Sequence, residues 1–96
     1  QVLHLVEQGL ISPLIALLAC QENKTIQVAL DGLDNILSVG EKIAMEHPDG
    51  INNLAIMVEE AGGLDAVYRL QHHNNHVIYT KSKNIIDKYY GRDEDE

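Results

Sequence analysis

A two-helix pattern occurs twice in this chain, 53 positions apart, and that recurrence limits the possible folds more than any other feature. The segment Val6–Leu18 returns as Glu59–Gln71, so that Gly9 falls on Gly62, Ile11 on Leu64, Leu14 on Val67 and Leu17 on Leu70. Carried forward, the same offset sets Leu33 on Ile86, Ile36 on Tyr89 and Leu37 on Tyr90. One register held across two helices describes stacked helical units, each covering its apolar face with its neighbour. Stacks of this kind build binding surfaces rather than catalytic clefts.

Local signals place the elements. Residues 1 to 8 read as the end of a helix stopped by Gly9. Ser12 is the expected N-cap of a short second helix with Pro13 in its first position, and Leu14, Ile15, Leu17 and Leu18 form its apolar stripe to about Cys20. After the polar break Gln21–Lys24, a longer helix is predicted from about Thr25 to Val39. Ile26, Ala29, Leu30, Leu33, Ile36 and Leu37 recur there at three- and four-residue spacing. Gly32 inside it predicts a close helix contact, and Gly40 is the expected stop. Residues 41–51, ending in His47-Pro48-Asp49-Gly50, read as a connector. The pattern then recurs. Asn52 or Asn53 caps a helix carrying Leu54, Ile56, Met57 and Val58, stopped by Gly62-Gly63. Leu64 to about Gln71 follows, then a turn over His72–Asn75 and a third helix from His76 to Tyr90 closed by Gly91. In that last helix Ser82 and Lys83 stand where the first unit has Ala29 and Leu30, while Tyr79, Ile86, Tyr89 and Tyr90 keep an apolar face. A polar outer side suits the end of a solenoid, where nothing stacks beyond.

Composition narrows the partners. The 96 residues hold 7 basic and 15 acidic side chains for a net charge of -8, half of it in the terminal run Asp93–Glu96. An acidic body with an acidic tail disfavours phosphate backbones and anionic lipid, leaving basic proteins as the better partners. With no Trp or Phe, aliphatic side chains must supply nearly all of the core. Cys20 is the only cysteine, which excludes an internal disulfide and reads as a small hydrophobe beside Leu17-Leu18. No apolar run approaches the roughly 20 residues of a membrane span. The chain opens inside an amphipathic pattern without an initiating Met, as expected of a stretch of a longer polypeptide.

The runs Leu5–Gly9, Ala29–Leu37 and Glu59–Asp65 resemble the C-terminal armadillo repeats of the importin alpha family, as do Leu70-Gln71, His73, Asn75, Ile78-Tyr79 and Ile85–Tyr90. Armadillo units are about 42 residues long, and an insertion over 41–51 accounts for the longer period. The resemblance implies an all-α, right-handed armadillo superhelix of two three-helix units ending the solenoid. They would span 1–40, with its first helix truncated, and 52–91 as the capping unit, with 92–96 an acidic disordered tail. It also implies an adaptor for import of proteins bearing a basic nuclear localisation signal, at work in cytoplasm and nucleus. In the family a Trp and an Asn four residues apart on third helices read the signal, the indole over Lys stems and the amide on peptide backbone. The matching pairs here are Asp31 with Asn35 and Asn84 with Lys88; without Trp, signal reading by this stretch is expected to be poor. The segment through which the family binds importin beta has no counterpart. The region instead corresponds to the part that contributes to binding the export receptor with Ran-GTP and nuclear pore components. The residues expected to carry partner contacts are Asp31, Asn35, Asp34, Glu59, Glu60 and Asp65, though most helix-surface carboxylates are simply solvated charges.

Other chemistry finds less support. His72, His73 and His76 have helical metal spacing, but zinc wants about four ligands and the neighbours are amides. A solvated turn with Asn75 as N-cap describes them better. The sequence shows no phosphate loop, no nucleophilic triad in a strand–turn context and no paired carboxylates in a plausible cleft, so neither enzyme activity, metal nor cofactor is expected. The rival reading is a stand-alone helical module that homodimerises or scaffolds through the apolar residues of 2–18.

Overall fold

The computed structural model describes Gly9 and residues 11–91; the helix expected over 1–8 and the tail 92–96 lie outside the described residues. Five helices follow in order: α1 (Ile11–Leu17), α2 (Asn23–Met45), α3 (Asn53–Glu60), α4 (Gly63–Leu70) and α5 (His76–Ile85). The last runs straight on into a π-helical turn, Ile86–Tyr90. Among the described residues there is no strand. The repeat is visible in the backbone. Gly9 and Gly62, one offset apart, both hold left-handed φ values of 88° and 91°. Helices α2 and α5 likewise begin one offset apart, at Asn23 and His76.

Helix α2 is the central element. Its 23 residues bury Ile26, Ala29, Leu30, Leu33, Ile36, Leu37, Gly40 and Ala44, and it packs against α1, α3 and α5. Helix α4 completes the stack by packing on α3 and α5. Burying one such Leu or Ile contributes about 1.5–3 kcal/mol, so this stripe outweighs every polar contact described below.

Sequence and structure part at several points. Gly40 does not stop α2, which continues to Met45, and the linker to α3 is correspondingly shorter. Gly40 instead is buried where α2 crosses the start of α3. An added Cβ there would overlap the Asn52 side chain and stand 3.0 Å from Leu54 Cβ. Gly32, expected to mark a close approach, would set a Cβ only in ordinary contact with Leu14, at 3.5 Å. The tight helix crossing is therefore at Gly40. In α1 the helix already includes Ile11, so Ser12 lies within its first turn and not before it. Ile11 and Leu18 are buried, whereas Leu17 is exposed. In α3 the buried set is Leu54, Ala55 and Val58; Ile56 and Met57 face outward, since a single helix cannot turn the three consecutive residues 56–58 inward together.

Helix α5 shows the largest shift. Its inward stripe is Ile78, Ser82 and Ile85, continued by Ile86 and Tyr90 in the π turn. Tyr79 is exposed, and Ser82, expected on the outer face, is fully buried. Ser82 tolerates burial because its hydroxyl donates to the Tyr79 carbonyl at 2.9 Å, a bond that needs no partner outside the helix. Lys83 is exposed as expected.

Two asparagines set the helix starts. Asn52 Oδ1 accepts from the Ala55 N–H at 3.0 Å while its Nδ2 donates to the Leu37 carbonyl at 3.1 Å, joining the cap of α3 to the middle of α2. Asn75 caps α5 through Ile78 N–H at 3.1 Å. Gly40→Ala should cost about 1–3 kcal/mol by overpacking and by displacing Asn52. Gly32→Ala, with room for its methyl, should stabilise by about 0.5–1 kcal/mol through helix propensity. Urea unfolding of the two variants reads the opposite signs.

Candidate functional site

The structure separates the six residues marked from sequence into groups: two line one cleft, three stand at helix ends and one lies on the exposed face of α2. Asp31 and Asp34 belong to a cleft of about 160 Å³ between α2 and α5, whose walls also include Leu30, Lys81, Asn84, Ile85 and Lys88. The spacing explains the first pair: residues three apart on α2 fall on one face, beside the stripe that packs on α5. Asn35 is exposed on α2 but is not part of the cleft wall. Glu59 and Glu60 end α3, and Asp65 sits in the first turn of α4; all three are exposed and none lines the cleft.

Both cleft carboxylates are occupied from within the chain. Lys81 Nζ donates to Asp31 Oδ1 at 2.7 Å. Lys88 Nζ stands 3.3 Å from Asp34 Oδ1, and Tyr89 donates its phenol to the same oxygen at 2.8 Å. The Lys88 ammonium also lies 5.1 Å from the Tyr89 ring centroid, within cation–π range. Burial, then the hydrogen bond to the Asp34 carboxylate, raises the Tyr89 phenol above its ordinary range. The hydrogen bond to Asp34 likewise raises the Lys88 ammonium, so both groups keep their protons at neutral pH. These lysines were not expected on sequence grounds as partners of Asp31 and Asp34. The signal available was weak: Lys81 lies 50 positions from Asp31, close to one repeat offset, but offset alone names no contact.

Tyr90 points the other way. Its hydroxyl donates to the Ala55 carbonyl at 2.8 Å in a buried setting, and burial, with the nearby Glu59 charge, pushes its phenol up. A second cavity of about 250 Å³ lies between α1 and α4, lined mainly by aliphatic side chains with Arg69. It contains none of the six marked residues. The histidine turn is a set of local bonds: His73 Nδ1 accepts the Asn75 N–H at 3.0 Å, and His76 Nε2 lies 3.5 Å from Thr80 Oγ1. Among the described residues no group of three or more His, Cys, Asp or Glu side chains is placed to hold a metal ion. Half-buried Cys20 packs against the core, its Sγ accepting the Glu22 N–H at 3.3 Å. No helix among the described residues is long and apolar enough to cross a membrane.

Comparison with known proteins decides what kind of stack this is. The family model of the atypical Arm repeat matches residues 52–96. Importin subunit alpha-4 of Arabidopsis thaliana is 43% identical over 97 residues, covering 100% of the chain and 18% of that protein. Importin subunit alpha of Saccharomyces cerevisiae is 41% identical over 92 residues, covering 96% of the chain and 17% of that protein. This is an importin-alpha-like armadillo region. Importin subunit alpha-1 of Schizosaccharomyces pombe matches 72% of the chain at 55% identity over 69 residues. The chain thus spans less than a fifth of the length of these relatives.

Two expectations follow from the geometry. Asp34→Asn should cost about 1 kcal/mol, since it disturbs a phenol bond and an ion pair together, while Asp31→Asn should cost less than about 0.5 kcal/mol for its exposed pair. Chemical unfolding at low salt compares them. Tyr90 gives a pH signature. A phenol titrates near about 10 when unfolded and higher in this fold. Its stabilisation is therefore complete below pH about 10 and is lost as pH rises, because the unfolded state ionises first. At pH about 8 Tyr90→Phe should cost about 1 kcal/mol, and the difference from the parent should shrink above pH about 10 in paired urea titrations.

Proposed function

We propose that this chain is a protein-docking segment of a nuclear import adaptor, acting by binding without chemistry. The observation that carries the reading is similarity over the whole chain to proteins named importin subunit alpha. In that setting the chain holds the last two armadillo units, the first running on through α2 to Met45 rather than ending at residue 40, the second over 52–91, with a linker over 46–51 in place of 41–51 and an acidic tail over 92–96. The full adaptor would work in cytoplasm and nucleus, carrying basic signal cargo together with importin beta. This stretch would serve solenoid capping and recycling by the export receptor with Ran-GTP, with nuclear pore components as further partners.

The electrostatics of α3 favour a role for Glu59 and Glu60 in docking. Acidic side chains in the last turn of a helix face the negative end of its dipole and weaken it slightly, and α3 has no basic residue there. Local helix stability therefore does not account for them. Asp65 is different: in the first turn of α4 it supports the dipole, which is reason enough for its presence. Asp31, Asp34 and Asn35 offer a second polar face on α2, two of them already paired within the chain.

The test is binding of the chain to the export receptor with Ran-GTP, beside a basic signal peptide. Receptor binding without comparable peptide binding is the expected result, and Glu59→Gln with Glu60→Gln should weaken the receptor complex about fivefold or more, mainly through slower association. Tight peptide binding without receptor binding would overturn the recycling role. Silence toward both would reduce this stretch to an end-cap that acts only inside a longer array.

A further inference from the structure

The groove between α1 and α4 differs from the rest of this acidic surface in both shape and charge. The two helices meet at the start of α4, where a Cβ added at Gly63 would stand 3.0 Å from Ile15 Cδ1. Along the next two turns of α4 they part, leaving the cavity of about 250 Å³. We infer that this groove is a second docking surface, for a protein segment that inserts one or two aliphatic side chains and sets a carboxylate against Arg69. The inference goes beyond the docking reading above. It gives an acidic chain a site for an acidic partner, on a wall that includes none of Asp31, Asp34, Glu59 and Glu60.

Three observations support it. The first is the lining: Ile15 and Leu18 from the α1 side and Leu70 from α4 make an aliphatic wall, and Ala16 is too small to fill the space between them. A partner's aliphatic side chain leaves water there without stranding a polar group. The second is size. Small-molecule sites occupy roughly 300–1,000 Å³, and this cavity falls below that range, in keeping with a pair of side chains rather than a whole ligand.

The third is charge. Arg69 is the one charged residue on the wall. Among the described residues Lys81, Lys83 and Lys88 each stand in an ion pair, whereas Arg69 stands in none, although Asp65 lies one turn earlier on the same helix. A cation in the last turn of α4 also favours the helix dipole, but a lysine would serve that end equally. The planar guanidinium adds a fork that matches both oxygens of a carboxylate. The net charge of -8 repels an acidic segment at long range, so a preference for a carboxylate over its neutral amide is owed to Arg69.

The probe is an acetylated and amidated alanine peptide carrying one leucine and one glutamate, titrated at low salt into the methyl-labelled chain and followed by NMR. Methyl signals of Ile15, Leu18 and Leu70 should shift with a Kd in the millimolar range. Replacing the peptide's glutamate by glutamine should weaken binding about threefold, the worth of one exposed ion pair. Arg69→Met should erase that preference, and Arg69→Lys, which keeps the charge without the fork, should restore only part of it. Ala16→Leu fills the groove from an exposed position and should abolish binding of both peptides. Unchanged methyl signals of the buried Ile26, Leu30 and Leu37 in every variant show that the core is intact. Equal binding of the two peptides by the parent, shifts away from the groove, or no shift at all would overturn the inference. So would decanoate binding the groove more tightly than the glutamate peptide, since the site would then suit a lipid and not a protein segment. None of these outcomes bears on the export-receptor test, which reads Glu59 and Glu60 on another helix.

Discussion

Burial of one face of α2 is the constraint on which the rest of the molecule depends. Ala29, Leu30, Leu33 and Leu37 have no solvent exposure, and the helix carrying them touches α1, α3 and α5. Among the described residues no other helix packs on three others through so continuous an apolar stripe. The polar chemistry is arranged around that fixed axis. Asn52 caps α3 while bonding the α2 backbone, and Asp31 and Asp34 project from the edge of the buried stripe toward α5. Since the stack is held by aliphatic contact, the charged rim can vary its pairing without loss of the fold. A binding surface requires that division of labour.

Much of the architecture was legible in the sequence because it depends on local and periodic signals. The offset of 53 reappears in the paired positive φ of Gly9 and Gly62 and in the starts of α2 and α5. The cap at Asn75 was readable, and that of α3 was narrowed to Asn52 or Asn53, because a short polar side chain before an apolar run has one obvious use. What failed depended on rotation and on neighbours. Gly40 looked like a helix stop because glycine commonly ends helices. Its actual role, room for Asn52 and Leu54, is set by a helix beginning a dozen residues later. Tyr79 and Ser82 exchanged their expected sides because a slight rotation of α5 brings Ile78 inward, and the Ser82 hydroxyl can satisfy itself on its own helix.

The candidate site was legible in part. Asp31 and Asp34 could be marked as acidic residues on one helix face, and they do share a cleft. Their pairing with Lys81 and Lys88 could not be read, since it requires the crossing of α2 and α5 and not merely their existence. Glu59 and Glu60 stand elsewhere, at the end of α3, so the six marked residues form more than one surface. That separation matters for any partner, which would need either an extended footprint or a choice between faces.

The π-helical turn Ile86–Tyr90 carries adjacent tyrosines to different neighbours, Tyr89 to Asp34 on α2 and Tyr90 to Ala55 on α3. One widened turn therefore works as a two-pronged clasp at the end of α5. Tension applied along the chain beyond Gly91 would load those two phenol bonds before it reached the aliphatic stripe of α2. Resistance at this end of the stack thus combines two hydroxyl bonds with the buried side chains of Ile86 and Tyr90, and deleting one residue between Ile86 and Lys88 would shift both prongs at once.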